Sequence, residues 1–491
     1  MIKKNLVNFL LIVLYIAVSF FMGCIPEDTL QWSADGSVGI YCKGGALFLV
    51  DGSSGSLTQI TPKTISTLWP AISSDGRFIA YGQRAPVENF TDALSLLPPN
   101  QIKVLQIHAA IVKEKIQIKG SVELSSDGVL KSYNEEYRSW IVHYLFKKLD
   151  DDGVINKKLG TEAVEKALEK PLNYYRLILI PSDDLDKKTI VATSIQNIWK
   201  ISFSPDSNLI AYVTNPIKGD VFEYGFDLYV ASPSQQIPAA LVERAAAIGC
   251  DFRPDSRAIA YIKPEKKEFE DQDFLAGSLV EKIIAGPDGK LIVEPADPEK
   301  ETTCATHICT GASKELAGIL YCSWMVVKYA GEDRIFFSTA KMSLPSSKID
   351  EEKNSLFCCD TLTGAVSEIL PQTALDFTQG NCHLFSTSPD NRKILLPGNK
   401  NTLGIYVLGQ ELDSSKILID KDESFGEDSP PELISQWKGE DKISCLVAEN
   451  SHYLNNDPNA PHRRKEVVIL DSDGKLVQVL SKDWPDELLD Y

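Results

Sequence analysis

The sequence predicts an all-β fold built from repeated short antiparallel sheets, a β-propeller. Three observations carry that prediction: a turn phrase that recurs, an apolar strand behind each copy, and a further strand phrase downstream. The phrase runs from Ser73 to Tyr81, from Ser204 to Tyr212, from Arg253 to Tyr261, and from Ser388 to Leu396. Each copy places an aspartate in the turn and an isoleucine in the strand that follows. Radial repetition of four-stranded units leaves only short, protected sheet edges, whereas an open sandwich has no cause to repeat one turn so closely.

Each part of the phrase has a local reason. Pro205, Pro254 and Pro389 preset φ at the first corner, and Asp206, Asp255 and Asp390 can accept hydrogen bonds from backbone two residues on. Gly76 or Ser207 relaxes the exit from the turn. Ile79-Ala80-Tyr81, Ile210-Ala211-Tyr212 and Ile259-Ala260-Tyr261 then set a small alanine between two β-favouring neighbours, which suits a strand covered on both faces. The third strand of the unit reads Ala46 to Asp51, Asp227 to Ala231, Ser355 to Asp360 and Gly404 to Leu408. Weaker copies centre on Asp35, Asp333 and Asp441. The turn aspartates Asp35, Asp75, Asp206, Asp255 and Asp390, counted with Asp333 and Asp441, make seven units. Seven blades are therefore expected over residues 31–484, with six or eight as the alternatives and 485–491 as a tail.

Ser204-Pro205-Asp206 with Ile210-Ala211-Tyr212, followed by Asp227-Leu228-Tyr229-Val230, resembles the propeller repeat of TolB-type proteins. That repeat is related to the propellers of dipeptidyl-peptidase-like enzymes. The resemblance implies the fold and leaves function open, because one propeller hosts many activities. TolB carries an α/β domain ahead of its propeller. Here the first repeat begins just past Cys24, so a TolB role with the Tol–Pal system is not expected.

The N-terminus reads as an address. Basic Lys3 and Lys4 precede an apolar run from Leu6 to Met22, then Gly23 and Cys24. This resembles a bacterial lipoprotein signal over 1–23, with Cys24 as the lipid attachment point and 24–30 as a tether. An uncleaved anchor and ordinary cleavage are the alternatives, since the run is nearly long enough to span a bilayer. All three expect an exported, membrane-tethered or secreted body. Ile25 in place of an aspartate favours the periplasmic face of the outer membrane or the cell surface. A formal net charge of −18 argues against nucleic acid and against adsorption to anionic lipid.

The gap between Asp75 and Asp206 is more than three times that between Asp35 and Asp75. An insertion over about 84–173 is therefore expected in the second blade. Gln101 to Ile107 and Ile111 to Leu124 alternate like strands. Tyr137, Trp140, Ile141, Tyr144 and Leu145 share one face of a helix over about 133–149, and Thr161 caps another over about 161–170. The insertion is read as a lid or a docking arm, its aromatic stripe packed on the propeller. Asp150-Asp151-Asp152-Gly153 copies the middle of a calcium loop, but Lys148 and Leu159 stand where the anchoring carboxylates belong. A further charged insertion is expected over 266–301, with a hairpin at Gly286-Pro287-Asp288-Gly289.

Of ten cysteines, the Cys358–Cys359 pair is expected to point to opposite faces of a strand. Cys304 and Cys309 bracket His307 in a spacing that fits no common zinc site, leaving buried thiols or a disulfide. None of the six histidines pairs with another at ligand spacing. No nucleophile elbow or phosphate loop is present. No catalytic residue, metal or cofactor is therefore expected. The favoured reading is a non-enzymatic, membrane-tethered propeller of the envelope that binds a protein or a glycan. The alternative is an exported propeller hydrolase or lyase with a site at the channel mouth.

Overall fold

The computed structural model describes residues 29–119, 129–149, 171–219, 225–233, 237–265, 275–300, 304–321, 325–343, 348–369, 385–390, 392–397, 403–407, 416–419, 435–448 and 465–489. Its strands form six four-stranded sheets and one six-stranded sheet. In chain order the first sheet holds Thr29–Trp32, Val38–Lys43, Ala46–Asp51 and Leu57–Thr61. The second holds Ser66–Ile72, Phe78–Pro86, Asn173–Pro181 and Thr189–Ser194. The third is the six-stranded one. Its regular strands are Ile198–Phe203, Ile210–Thr214, Phe226–Ser232 and Ile237–Ala246, and His307–Cys309 and Val293–Pro295 extend its outer edge. The fourth holds Cys250–Phe252, Ala258–Pro264, Leu275–Ile283 and Ser313–Tyr321; the fifth, Val327–Tyr329, Arg334–Ser343, Lys348–Asp360 and Val366–Glu368. The sixth holds Ser386–Thr387, Lys393–Pro397, Leu403–Val407 and Lys416–Ile419; the seventh, Ser435–Lys438, Lys442–Ala448, Lys465–Asp471 and Leu476–Val479. The fold is all-β and of the β-propeller type.

Two compact units divide the chain, a larger one of residues 31–337 and 359–366 and a smaller one of 1–30, 338–358 and 367–491. Inside the larger unit, consecutive sheets pack face to face. Ile40, Leu47 and Ile60 of the first sheet meet Ile79, Ile178 and Ile180 of the second, and Leu177 and Leu179 of the second meet Ile201 and Tyr212 of the third. Sheets covered on both faces need small residues mid-strand, and Ala80, Ala211 and Ala260 are all fully buried. Gly249, ahead of the fourth sheet, donates its N–H to the Met325 carbonyl at 2.9 Å. A Cβ there would stand 2.4 Å from the Val326 Cα, so only glycine allows this approach of two backbones. In the smaller unit, Leu395 and Ile405 of the sixth sheet cluster with Trp437, Ile443 and Val468 of the seventh.

The turn aspartates act within their own turns, each between the first two strands of a sheet. Ser33, Ser73, Ser204 and Ser388 donate their hydroxyls to Asp35, Asp75, Asp206 and Asp390 at 2.5–2.7 Å. Each aspartate also accepts the backbone N–H two residues on. The serine hydroxyl in turn accepts the N–H that opens the next strand. Hydrogen bonds from Ser33 and Ser37 hold the Asp35 carboxyl below its ordinary range. In the fourth sheet Arg253 replaces the serine and grips Asp255 through Nε and Nη2.

After Asp35, Asp75, Asp206 and Asp255 the next position is left-handed: φ is 69° at Gly36, 70° at Gly76, 63° at Ser207 and 61° at Ser256. Serine there carries a conformational cost. Ser256 offsets it with its hydroxyl, which accepts the Asp206 N–H at 3.0 Å and so links the turn of the fourth sheet to that of the third. Ser256→Ala keeps the strained backbone and cuts the link. It is expected to cost about 1 kcal/mol, read as a lowered thermal midpoint, with Ser256→Gly falling between it and the wild type.

The long insertion follows Phe78–Pro86 and is mostly helical in its described part. Helix α1 is Phe90–Leu96, capped by Asn89, whose side chain accepts the N–H groups of Thr91 and Asp92. Helix α2 is Pro99–Lys119, and α3 is Glu135–Leu149. The strand expectation for 101–107 and 111–124 is thus corrected up to Lys119. Ile116 and Ile118 do alternate with polar neighbours, but Pro99 opens the first helical turn, and Val104, Leu105, His108, Ala109 and Val112 are buried at helical spacing. The expected helix over 161–170 and the Asp150–Asp152 loop lie outside the described residues.

The aromatic stripe of α3 is turned inward. Tyr137, Trp140, Ile141 and Leu145 are buried among α1, α2, Leu172, Tyr174 of the second sheet and Ile195 and Ile217 beside the third. Polar ties complete the docking. Trp140 Nε1 donates to the Asn173 carbonyl at 2.9 Å, Gln101 donates to the Thr193 carbonyl, and Asn134 donates to the Pro216 carbonyl.

Of the expected insertion over 266–301, the stretch 275–283 needs correction, while the hairpin at Gly286 to Gly289 is present, with Ala285 bridged to Leu291. Leu275–Ile283 is the regular third strand of the fourth sheet, paired along Ala258–Pro264. The chain then turns at Gly286, whose N–H donates to the Lys290 carbonyl. It returns to the third sheet, where His307–Cys309 runs parallel to Ile237–Ala246. Cys304 and Cys309 are buried free thiols. Cys359 is buried and Cys358 half-buried, as opposite strand faces require.

Candidate functional site on the innermost strands

The first strands of the second and third sheets each contain one residue more than their partners. The pairing of Ser66–Ile72 slips between Leu68 and Ala71. That of Ile198–Phe203 slips opposite Tyr212 and Thr214. The residues set loose by these bulges are Trp69 with Pro70, and Trp199 with Lys200. A bulge re-aims side chains, and bulges recur beside binding and active sites. Here it brings two indoles together, with ring centres 5.8 Å apart and planes at 52°. Trp69 holds a φ of 48°, a strained backbone for a bulky residue. Both rings are half-buried.

Trp199 is fixed from behind. Its Nε1 donates to Asn215 Oδ1 at 2.6 Å, and its ring meets Phe226 edge-on at 6.0 Å. Asn215 donates in turn to Glu136 of α3. Glu136 also accepts the Tyr175 hydroxyl and the Asn197 N–H. The helical insertion therefore orients the indole through one asparagine.

Lys200 extends the row toward the fourth and fifth sheets. Its buried ammonium interacts with the charges of Lys328 and Asp251 and with the Cys250 thiol. Burial lowers its pKa, to about 8, with Lys328 adding to the fall and Cys250 and Asp251 opposing it. Burial pushes the Cys250 thiol up to about 12. Asp251 pairs with Lys328 Nζ at 3.3 Å and accepts the Tyr329 N–H at 2.8 Å. Lys328 thus holds Asp251 directly, and the charge of Lys200 feels both. The indole pair and the Lys328–Asp251 pair thus lie on different flanks of the third sheet.

Trp199 stands at the start of its strand and Ser204 just past the end, so this row lies at the end of the sheet opposite the aspartate turns. None of Trp69, Trp199, Lys200, Asp251 and Lys328 was singled out from the sequence. The available signal was Leu68-Trp69-Pro70 and Ile198-Trp199-Lys200, where a plain inner strand would alternate. Cys24 lies outside the described residues. Among the described residues, no group of three or more His, Cys, Asp or Glu side chains could hold a metal ion.

No family model matches the sequence, and no curated protein matches it. Solved structures with likeness to it include TolB and other β-propellers. Oligogalacturonate lyase from Vibrio parahaemolyticus aligns at 12% identity and a TM-score of 0.39, over 78% of this chain and 77% of that one. TolB from Acinetobacter baumannii aligns at 14% identity and a TM-score of 0.32, over 62% of this chain and 58% of that one. Hydrazine synthase from Kuenenia stuttgartiensis aligns at 10% identity and a TM-score of 0.45, over 92% and 97%. Likeness this slight leaves function to the residues themselves.

Proposed function

We propose that this chain is an exported, membrane-tethered β-propeller of the cell envelope that binds a protein or a glycan and performs no reaction on it. Its seven sheets would serve as the blades, the six-stranded one counted once. The observation that carries the reading is the Trp69–Trp199 pair set at two strand bulges. The tether rests on the N-terminal signal and Cys24. Among the described residues no helix is long and apolar enough to cross a membrane, and the run from Leu6 to Met22 lies outside them. The acidic body supports a partner other than nucleic acid.

Two comparisons test this. Cys24→Ser is expected to move the protein from the membrane fraction to the soluble fraction; unchanged retention would replace the lipid by an uncleaved anchor. The chain from Ile25 to Tyr491, immobilised and exposed to envelope extract, is expected to retain a partner that Trp199→Ala loses. A partner released chemically altered would turn the reading to an exported propeller hydrolase or lyase.

A further inference from the structure

We infer that Glu136, the second residue of α3, is the positioning residue for the indole pair: its carboxylate fixes which end of Asn215 meets Trp199. This rests on the binding role proposed above and names the side chain through which the insertion serves it.

The polarity of the groups in line decides the geometry. A carboxylate only accepts hydrogen bonds and an indole N–H only donates, whereas the Asn215 amide has one end of each kind. Facing Glu136 Oε2 at 3.4 Å, Asn215 presents Nδ2. Its Oδ1 is thereby turned to Trp199 and accepts the Nε1–H at 2.6 Å. With an apolar side chain at 136 that selection is lost, and a flipped amide would set donor against donor at the indole. Glu136 is itself held from several sides. Asn134 caps α3 by accepting the Tyr137 N–H, and its side-chain and backbone N–H groups donate to the Pro216 and Ile217 carbonyls. The first turn of the helix is thus pinned to the two residues that follow Asn215. Glu136 Oε1 accepts the hydroxyl of buried Tyr175 at 2.6 Å, and Oε2 accepts the Asn197 N–H at 3.2 Å. The Asn197 carbonyl accepts the Asn215 N–H in turn, closing a ring of three residues. Tyr175 belongs to the second sheet, which carries Trp69, and Asn215 follows a strand of the third, which carries Trp199. One carboxylate therefore ties the two sheets whose bulges bring the rings together. The docking of α3 through Trp140, Ile141 and Leu145 needs no charge at 136, which sets Glu136 apart from its neighbours on the helix.

The experiment follows the Trp199 indole N–H by nuclear magnetic resonance in the full chain, held in detergent and carrying isotope-labelled tryptophan, with Trp199→Phe assigning the signal. Glu136→Leu and Asn215→Leu are each expected to move the signal upfield and to speed its exchange with water about threefold to tenfold, the factor that one neutral hydrogen bond supplies. Their combination is expected to do no more than either alone, as for two members of one relay. Glu136→Gln keeps an oxygen for Asn215 and is expected to stay near the wild type. Exchange at Trp140, in the core of the lobe, should be unchanged and so separates a lost relay from a lost fold. Should it rise in Glu136→Leu, the Asn215→Leu and Glu136→Gln variants decide. A Trp199 signal indifferent to Glu136→Leu, or additive effects in the double variant, would overturn the inference. In the retention experiment above, Glu136→Leu is expected to weaken the partner by the same factor and Glu136→Gln to restore it. Full retention by Glu136→Leu of a partner that Trp199→Ala loses would also overturn it. A wild type that retains no partner fails the binding reading on its own, and the indole signal still decides whether Glu136 sets the ring.

Discussion

Trp140→Ala is expected to destabilise the larger unit by about 3–5 kcal/mol, the greatest loss anticipated for a single side chain here. Trp140 is fully buried, lies 5.5 Å from the ring of Phe90, and satisfies the Asn173 carbonyl at the start of a strand of the second sheet. Removing it opens a cavity between helix and sheet and strips a hydrogen bond at the same point. Urea unfolding followed by circular dichroism measures it. The control is Leu96→Ala in α1, where a side chain 47% exposed should cost no more than about 0.5 kcal/mol. Equal losses for the two would mean that α3 is not docked as described.

That expectation changes what the insertion can be. An arm reaching for a partner would turn its aromatic stripe outward, and excising it would leave a stable propeller. Here Tyr137, Trp140, Ile141 and Leu145 form the core of a lobe shared with the second and third sheets. Removing residues 95–172 would bare Tyr174, Ile195 and Ile217. The insertion is thus part of the scaffold. Its reach toward function runs through Glu136 and Asn215 to the ring of Trp199.

What could be read from the chain follows the range of the forces involved. The aspartate turns were legible because the hydrogen bonds that shape each one close within five residues, from Ser204 to Asp206 and from Leu209 back to Ser204. The strands behind them were legible because burial on both faces imposes the Ile-Ala-Tyr composition locally. The return of His307–Cys309 to a sheet already left behind was not, since only the folded partner strand chooses that pairing. Helix α2 was misread where a local alternation competed with a spacing fixed by tertiary burial. The site was hidden for a related reason. Trp69 and Trp199 belong to separate repeats, and a bulge is a register event between two strands, written in neither alone. Asp251 and Lys328 likewise become a pair only once the fourth sheet meets the fifth.

Asp227→Asn is expected to stabilise the protein at neutral and alkaline pH and to leave it unchanged in acid. Asp227 is the second residue of the third strand of the third sheet and is 6% exposed. Burial raises its pKa to about 7, with Arg244 pulling it down and the Glu243 charge adding to the rise. The folded chain therefore keeps this proton up to about pH 7, whereas the unfolded chain releases it near the ordinary value of 3.8. Between those limits the unfolded chain binds fewer protons, so stability falls as pH rises. The contribution is fully present below about pH 4 and lost as pH climbs through about 7. At ~1.4 kcal/mol per pH unit the loss reaches at most about 4 kcal/mol. Asparagine keeps the shape and removes the charge, so its advantage should be absent at pH 4, intermediate at pH 6 and greatest at pH 8. Urea midpoints of the two proteins at these three values decide it. A constant difference across them would show that Arg244 holds Asp227 ionised throughout, and that the strand carries a buried ion pair.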